Sequence, residues 1–146
     1  MDNEIVRSAT VHWDGDVAHG RGTIATGSGK VRADYSFGTR FSGDPGTNPE
    51  ELLGASHAAC FTMALSSELT RAGHPPVSID TEGLVHLQRM KTGYEIPSIE
   101  LTTTAVVPGV ADAEFQAMAA RAKENCPLSR ALRAVPISLR ATLRPA

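Results

Sequence analysis

The amino-acid sequence predicts an α+β fold, with antiparallel sheets and two main helices in separate stretches of the chain. Three observations predict it. Short strand patterns broken by turn residues fill the first third, a long apolar helix follows, and strands then alternate with a second helix. The resulting order, βββ-α-ββ-αα-β, is typical of folds whose helices are segregated from antiparallel sheet. The 146 residues are most simply one domain, residues 1–146.

The first third of the chain is expected to form an antiparallel meander. Residues 10–13 form the first strand pattern and residues 21–26 the second, each ended by glycine-containing turns. Residues 30–37 place apolar side chains at every second position, which is the period of a half-buried strand. A loop rich in turn formers, residues 42–46, leads to the central helix.

The central helix has a start that the sequence specifies closely. Asn48 is a candidate cap, Pro49 suits the first helical position, and Glu51 stands where a capping box needs it. The pattern predicts that the helix ends at about Arg71, before a glycine. Residues 52–65 are apolar or small on nearly every face, which predicts a helix that is buried all round.

The second half of the chain alternates strands and helices. Residues 77–89 and 99–107 are strand patterns that we expect to pair as a hairpin with its bend near residues 91–93. A closing strand is predicted at residues 135–143.

Two further helices are predicted between the last two strands. Residues 111–125 have apolar side chains at helical spacing, with Asp112 as a plausible cap. Cys126 and Pro127 interrupt that helix, and residues 127–132 are predicted to start another short one.

Composition and charge narrow the classes of function. A formal net charge of −2 with scattered basic residues gives no reason to expect nucleic acid or a membrane as a partner. Residues 1–7 lack an apolar signal-peptide core, and Ser56 and His57 interrupt the best candidate for a membrane span. Two cysteines in a chain without a secretion signal are more typical of redox or catalytic thiols than of a structural disulfide framework. Because no such signal is seen, we also expect a cytoplasmic protein.

Three familiar types of site are not supported. Residues 27–30 lack two positions of a phosphate-binding loop, and residues 54–58 resemble a nucleophile elbow but lie within a helix. The five histidines are dispersed, and no local spacing of cysteine and histidine predicts a metal site.

Each cysteine has a context that allows two interpretations. Cys126 precedes Pro127 in an N-cap-like position, where the helix dipole favours a thiolate. Cys60 lies in an apolar stretch that raises its pKa, so it needs a cation to become a nucleophile, and Arg40 is the best placed candidate. The alternative is that both are buried core thiols, because free cysteine is among the most buried residue types.

Glu50 and His57 are also open to two interpretations. Glu50 either only complements the helix dipole or orients the guanidinium of Arg40 by bidentate pairing. A straight helix separates Glu50 from Cys60 by roughly 15 Å. The second interpretation therefore requires a bend near Gly54, or a Cys60 in another subunit. His57 is either a satisfied buried histidine or a residue that tunes Cys60.

Several of these segments together resemble the OsmC/Ohr family of thiol-dependent hydroperoxide reductases, and its OsmC branch (osmotically induced protein C) in particular. The motifs are Thr-Arg-Phe, Gly-Thr-Asn-Pro-Glu-Glu-Leu, His-Ala-Ala-Cys-Phe and Asn-Cys-Pro-Leu-Ser, at residues 39–41, 46–52, 57–61 and 125–129. The resemblance covers almost the whole chain. The histidine before the first cysteine and the Thr-Arg-Phe element favour the OsmC branch.

The resemblance implies an organic hydroperoxide reductase that acts without metal or flavin in defence against oxidative or osmotic stress. Cys60 is then the peroxidatic thiolate, which becomes a sulfenic acid, and Cys126 resolves it as an intramolecular disulfide. An external dithiol, for which lipoyl-type dithiols are the family-level expectation, reduces the disulfide. Arg40 lowers the pKa of Cys60 and Glu50 holds Arg40, although the Ohr branch takes its arginine from a position nearer Arg21.

The resemblance also implies an intertwined homodimer with both central helices buried and the active sites at the interface. That arrangement agrees with the apolar character of residues 52–65 on all faces. The alternative is a non-catalytic stress protein of the same fold that binds a hydrophobic ligand, and the presence of Cys60, Cys126, Arg40 and Glu50 argues against it. An ordinary peroxiredoxin is disfavoured because its cysteine signature is absent around Cys60.

Overall fold

The computed structural model describes residues 3–146. The chain divides into two compact units, one ending at Pro49 and the other comprising Glu50–Ala146. Their unity as a single domain stays a prediction.

The first unit contains the predicted meander. Its strands β1 (Ala9–Asp14), β2 (Arg21–Thr26) and β3 (Arg32–Tyr35) form an antiparallel sheet in that order. The rings of Trp13 and Tyr35 lie 5.3 Å apart across this sheet. Gly22 on β2 makes room for them, since a Cβ there would lie 2.3 Å from the Tyr35 ring.

A short helix, α1 (Phe37–Phe41), follows the third strand, whereas the sequence predicts a strand that runs to residue 37 and a loop from residue 42. That part of the prediction is wrong because a local capping box bends the chain into a helical turn. The backbone N–H of Thr39 donates to Ser36 Oγ (3.3 Å), and the N–H of Ser36 donates to Thr39 Oγ1 (2.9 Å). Threonine replaces the usual Glu or Gln of this motif, which makes the signal hard to see.

The second unit is built on the central helix, α2 (Pro49–Arg71), which begins and ends where the sequence predicts. Pro49 occupies the first helical residue. The side-chain amide of Asn48 donates to the carbonyl of Thr39 (3.3 Å). Capping of α2 by Asn48 and Glu51 stays a prediction.

The strands of the second unit form one mixed sheet and one small hairpin. They are β4 (Ser78–Val85), β5 (Gln88–Met90), β6 (Gly93–Glu95), β7 (Ile99–Val106) and β8 (Ile137–Arg144). β4 pairs antiparallel with β7, as predicted, but the strand predicted at residues 77–89 is broken, and β5 pairs with β6 in a separate hairpin. The bend predicted near residues 91–93 closes that hairpin.

The last strand pairs in parallel with its neighbour, which the expectation of antiparallel sheets did not include. β8 runs parallel to β7 because two helices, α3 (Asp112–Asn125) and α4 (Pro127–Ala131), carry the chain back before β8 begins. Both helices lie where the sequence predicts them. The cap predicted for α3 is wrong, since Asp112 is the first helical residue and the N-cap, Ala111, makes no side-chain capping bond.

The hydrophobic core of the second unit lies between α2, α3 and the sheet. Its members are Phe61, Leu65, Leu69, Leu101, Ala105, Val107, Phe115, Met118, Ala119 and Ala122. On α2 they occupy one face only, and Met63 on the opposite face is 76% exposed. The all-round burial predicted for residues 52–65 is therefore not reached within one chain, and burial of the second face in a homodimer stays a prediction.

Two features fix α2 against the sheet around the position of Cys60. Before it, Gly54 packs directly on Gly83 of β4, where a Cβ on Gly83 would lie 2.8 Å from the Gly54 carbonyl oxygen. After it, the hydroxyl of Thr62 lies 2.7 Å from that of Thr81. The Thr81 hydroxyl in turn lies 2.9 Å from that of Thr103. The helix is thus held on both sides of the cysteine.

We predict that Gly83→Ala destabilises the protein by about 2 kcal/mol, because the new methyl group overpacks a backbone contact. An ordinary glycine-to-alanine change in a strand has the opposite sign, since alanine restricts the unfolded chain. Urea unfolding of the variant, with the exposed Ser78→Ala on the same strand as control, measures the difference. An increase in unfolding free energy in Gly83→Ala would contradict the close approach.

Candidate active site

The structure brings the two cysteines together. Cys60 on α2 and Cys126 between α3 and α4 are 66 residues apart in sequence, yet their Sγ atoms are 2.9 Å apart, with the Cys126 thiol donating to Cys60. Both are free thiols. A disulfide bond is about 2.05 Å long, so the pair is a reduced dithiol that needs little movement to form one.

Local backbone chemistry holds Cys126 in place. Pro127 cannot continue α3, because it lacks an N–H and its ring clashes with the preceding turn. The chain therefore leaves the helix at Cys126, whose N–H still donates to the Ala122 carbonyl (3.0 Å). Its carbonyl accepts from the N–H of Arg130 (3.1 Å) in α4. Cys126 ends one helix and caps the next, as the Cys-Pro sequence predicts.

The two thiols differ in exposure. Cys126 is fully buried, whereas Cys60 is half-buried. Burial raises the pKa of the Cys60 thiol, and the neighbouring Cys126 raises that pKa further, while a hydrogen bond from the backbone of Leu128 lowers it. The net direction is upward, so this unit by itself favours the protonated thiol. A reactive Cys60 requires a neighbouring positive charge or further hydrogen-bond donors to offset the burial.

A histidine, His57, lies three residues before Cys60 in the sequence. It makes a contact that the sequence did not predict. His57 is 0% exposed, and its Nε2 lies 2.8 Å from Oγ of Ser129, which is itself buried on α4. Burial lowers the pKa of His57, so the ring is neutral. Among residues 3–146, its other nitrogen, Nδ1, has no hydrogen-bond partner. His57 is buried as the simpler interpretation held, but it is only half satisfied.

The two charged residues proposed for the site, Arg40 and Glu50, lie on different helices. Arg40 is on α1, with its guanidinium 5.4 Å from the centroid of the Phe41 ring. Glu50 lies in the first turn of α2 and is buried. The roles of Arg40 and Glu50 toward Cys60 stay predictions.

Two clefts in the first unit distinguish the candidate arginines. Arg40 lines an aromatic cleft of about 190 Å³ together with Trp13, Tyr35, Phe37 and Phe41. Arg21 lines a different cleft of about 630 Å³ whose other walls are largely polar. Neither cleft is lined by a cysteine. The smaller cleft is the more apolar of the two.

Residues 3–146 contain no group of three or more His, Cys, Asp or Glu side chains arranged to hold a metal ion. In the same range, no helix combines the length and the apolar character needed to cross a membrane.

The chain is similar to several known proteins. The family described as OsmC-like protein matches residues 41–140. The "Peroxiredoxin OsmC" of Escherichia coli K12 is 46% identical over 131 residues, covering 89% of this chain and 92% of that protein. An "Organic hydroperoxide resistance protein" of Xanthomonas axonopodis pv. citri is 37% identical over 97 residues, 63% of each chain.

A solved structure of a relative has the same fold. The organic hydroperoxide resistance protein OhrB of Bacillus subtilis superposes with a TM-score of 0.67 at 27% identity, over 94% of this chain and 98% of that one.

Proposed function

Because the chain belongs to the OsmC-like family, we propose that it is a thiol-dependent peroxidase that reduces organic hydroperoxides to alcohols. The names of its relatives support a peroxidase role in general. The single observation that carries the finer proposal is the 2.9 Å contact between a half-buried and a fully buried thiol. Only the half-buried thiol is accessible to a substrate, which supports a different role for each cysteine.

In the first step, the thiolate of Cys60 attacks one oxygen of the hydroperoxide. A sulfur–oxygen bond forms and the oxygen–oxygen bond breaks, and its electron pair leaves on the alkoxide, which takes a proton to become the alcohol. Cys60 is oxidised by two electrons to a sulfenic acid. The exposure of Cys60 supports its assignment as the sulfur that meets the peroxide.

In the second step, Cys126 attacks the sulfenic sulfur. The sulfur–sulfur bond forms, the sulfur–oxygen bond breaks, and the hydroxide leaves as water with the proton of the Cys126 thiol. The short distance between the sulfurs supports this step. An external dithiol, which we expect to be of the lipoyl type, then exchanges with the disulfide and restores both thiols. No metal or organic cofactor takes part.

Arg40 supplies the positive charge that Cys60 needs. A guanidinium near the thiol offsets the burial that raises the Cys60 pKa, and it stabilises the alkoxide as the oxygen–oxygen bond breaks. Glu50, buried in the first turn of α2, orients Arg40 by bidentate pairing. The aromatic walls of the cleft beside Arg40 support an organic rather than an inorganic peroxide.

The active form is a homodimer in this proposal. The exposed apolar residues of α2, Met63 above all, support burial of that face against a second copy of the chain. Within the dimer, Arg40 and Glu50 serve Cys60 of the same or the other subunit. Sedimentation equilibrium at micromolar concentration distinguishes this state from a monomer.

We predict that purified protein with a dithiol reductant consumes cumene hydroperoxide faster than hydrogen peroxide. Cys60→Ser abolishes turnover because the nucleophile is lost. Without the reductant, Cys126→Ser still consumes about one equivalent of peroxide but ends as a Cys60 sulfenic acid instead of a disulfide, because no second thiol resolves it. A coupled peroxide assay measures all three proteins.

Absence of consumption by the native protein with every dithiol would contradict the proposal. It would favour instead a non-catalytic protein that binds a hydrophobic ligand. Turnover that survives Cys60→Ser would overturn the assignment of the nucleophile.

We also predict that Arg40→Ala raises the pKa of Cys60 and slows its oxidation roughly 10- to 1000-fold at neutral pH, the range expected for loss of a neighbouring opposite charge. Arg21→Ala is the matched control, because it removes the same side chain from the other cleft. The rate of alkylation of Cys60 against pH, in a Cys126→Ser background, reports the pKa. Loss of reactivity in Arg21→Ala alone would reassign the role to Arg21.

A further inference from the structure

A second side-chain contact runs beside the thiol pair. His57 precedes Cys60 on α2 and Ser129 follows Cys126 on α4, in each case by three residues. Nε2 of His57 and Oγ of Ser129 lie 2.8 Å apart, and the two residues are 0% and 7% exposed. α2 and the segment carrying Cys126 are thus joined by two adjacent bridges, one between sulfurs and one between imidazole and hydroxyl.

The histidine in this bridge is not explained by stability. Nδ1 is buried and has no partner among the described residues. A buried polar atom without a partner is destabilising, so an apolar pair in place of His57 and Ser129 would serve the core at least as well. What the imidazole provides is its hydrogen bond to Ser129. The pKa of His57 is lowered by burial, so the ring stays neutral and forms this bond without a buried charge.

The segment that carries Cys126 depends on such a contact. α4 is only five residues long and Ser129 is its only buried residue. A helix of this length is not stable alone, because it has too few hydrogen bonds to offset its nucleation. Once an oxygen is attached to the sulfur of Cys60, the direct thiol contact is interrupted. The bridge from His57 to Ser129 involves neither sulfur and is unaffected by that oxidation.

We propose that His57 is a positioning residue that acts through Ser129, holding α4 against α2 so that Cys126 stays within reach of the oxidised Cys60. The proposal rests on the function proposed above. It has a consequence for the sulfenic acid of Cys60, for which Cys126 and a second hydroperoxide compete. Attack by Cys126 gives the disulfide and water. Attack on a second hydroperoxide forms another sulfur–oxygen bond, breaks the oxygen–oxygen bond, releases a second alcohol and leaves Cys60 as an irreversible sulfinic acid.

The first test measures that competition. Reduced protein is exposed to rising concentrations of cumene hydroperoxide, and mass spectrometry determines the ratio of disulfide to Cys60 sulfinic acid. For Ser129→Ala and His57→Leu, the concentration that gives equal amounts is expected to fall about tenfold, as loss of one buried hydrogen bond implies. The rate of the first oxidation is expected to change less than about threefold, since the bridge does not act on that step.

Two variants serve as controls. His57→Gln keeps a polar group near the position of Nε2 and is expected to behave like the native protein. Ser78→Ala removes an exposed hydroxyl from β4 and is expected to change nothing. A general loss of stability would affect both oxidation steps, so a change confined to the ratio identifies positioning.

The second test does not depend on peroxide. In glutathione redox buffers, the equilibrium between the dithiol and the disulfide gives the effective concentration of Cys126 at Cys60. We expect it to fall about tenfold in Ser129→Ala and His57→Leu. This result would support the bridge even if the protein consumed no hydroperoxide, which separates the two proposals. Unchanged effective concentrations, or unchanged sulfinic acid formation in a protein that does turn over, would overturn the role of His57.

Discussion

The burial of one face of α2 against α3 and β7 is the constraint on which the rest of the second unit depends. Phe61 and Leu65 of α2 are fully buried in the same core as Phe115 and Met118 of α3. Each such side chain contributes roughly 1.5–3 kcal/mol, and together they outweigh the single polar contacts of the site. This packing sets the rotation of α2 about its axis. Cys60, next to Phe61, therefore lies at the edge of the core and faces the end of α3.

The same burial sets the chemical problem that the site has to solve. Proximity to Cys126 requires Cys60 to be packed, and packing raises the pKa of its thiol. A thiolate is the form that attacks a peroxide. The packing that brings the two thiols together therefore also lowers the reactivity of Cys60. The Leu128 N–H offsets part of the shift. We propose that a guanidinium supplies the remaining lowering of the Cys60 pKa. Two cysteines alone therefore do not define the site.

Much of the fold follows from local signals in the sequence. The bounds of α2 were predictable because a proline at one end and a glycine beyond the other are strong signals. The break at Cys126 was predictable because Pro127 cannot continue a helix. The Ser36–Thr39 turn was missed because its capping motif is atypical. The parallel pairing of β8 with β7 was missed because the direction of a strand depends on the crossover before it, not on its own pattern.

The site was predictable where the type and the local context of a single residue indicate its chemistry. Two thiols in distinctive contexts, and the family resemblance they carry, identified Cys60 and Cys126, which the fold brings into contact. The bridge from His57 to Ser129 had no comparable signal. A serine is common and usually exposed, and its importance here comes from a partner 72 residues away in sequence. Such a contact is visible only once the helices are packed.

The most direct measurement is the fate of the two sulfurs after one equivalent of cumene hydroperoxide is added to the reduced protein without any external thiol. Peptide mapping by mass spectrometry under non-reducing conditions gives the answer. We predict one Cys60–Cys126 disulfide per chain and one equivalent of alcohol released. Two thiols that remain free, with the hydroperoxide intact, would contradict it.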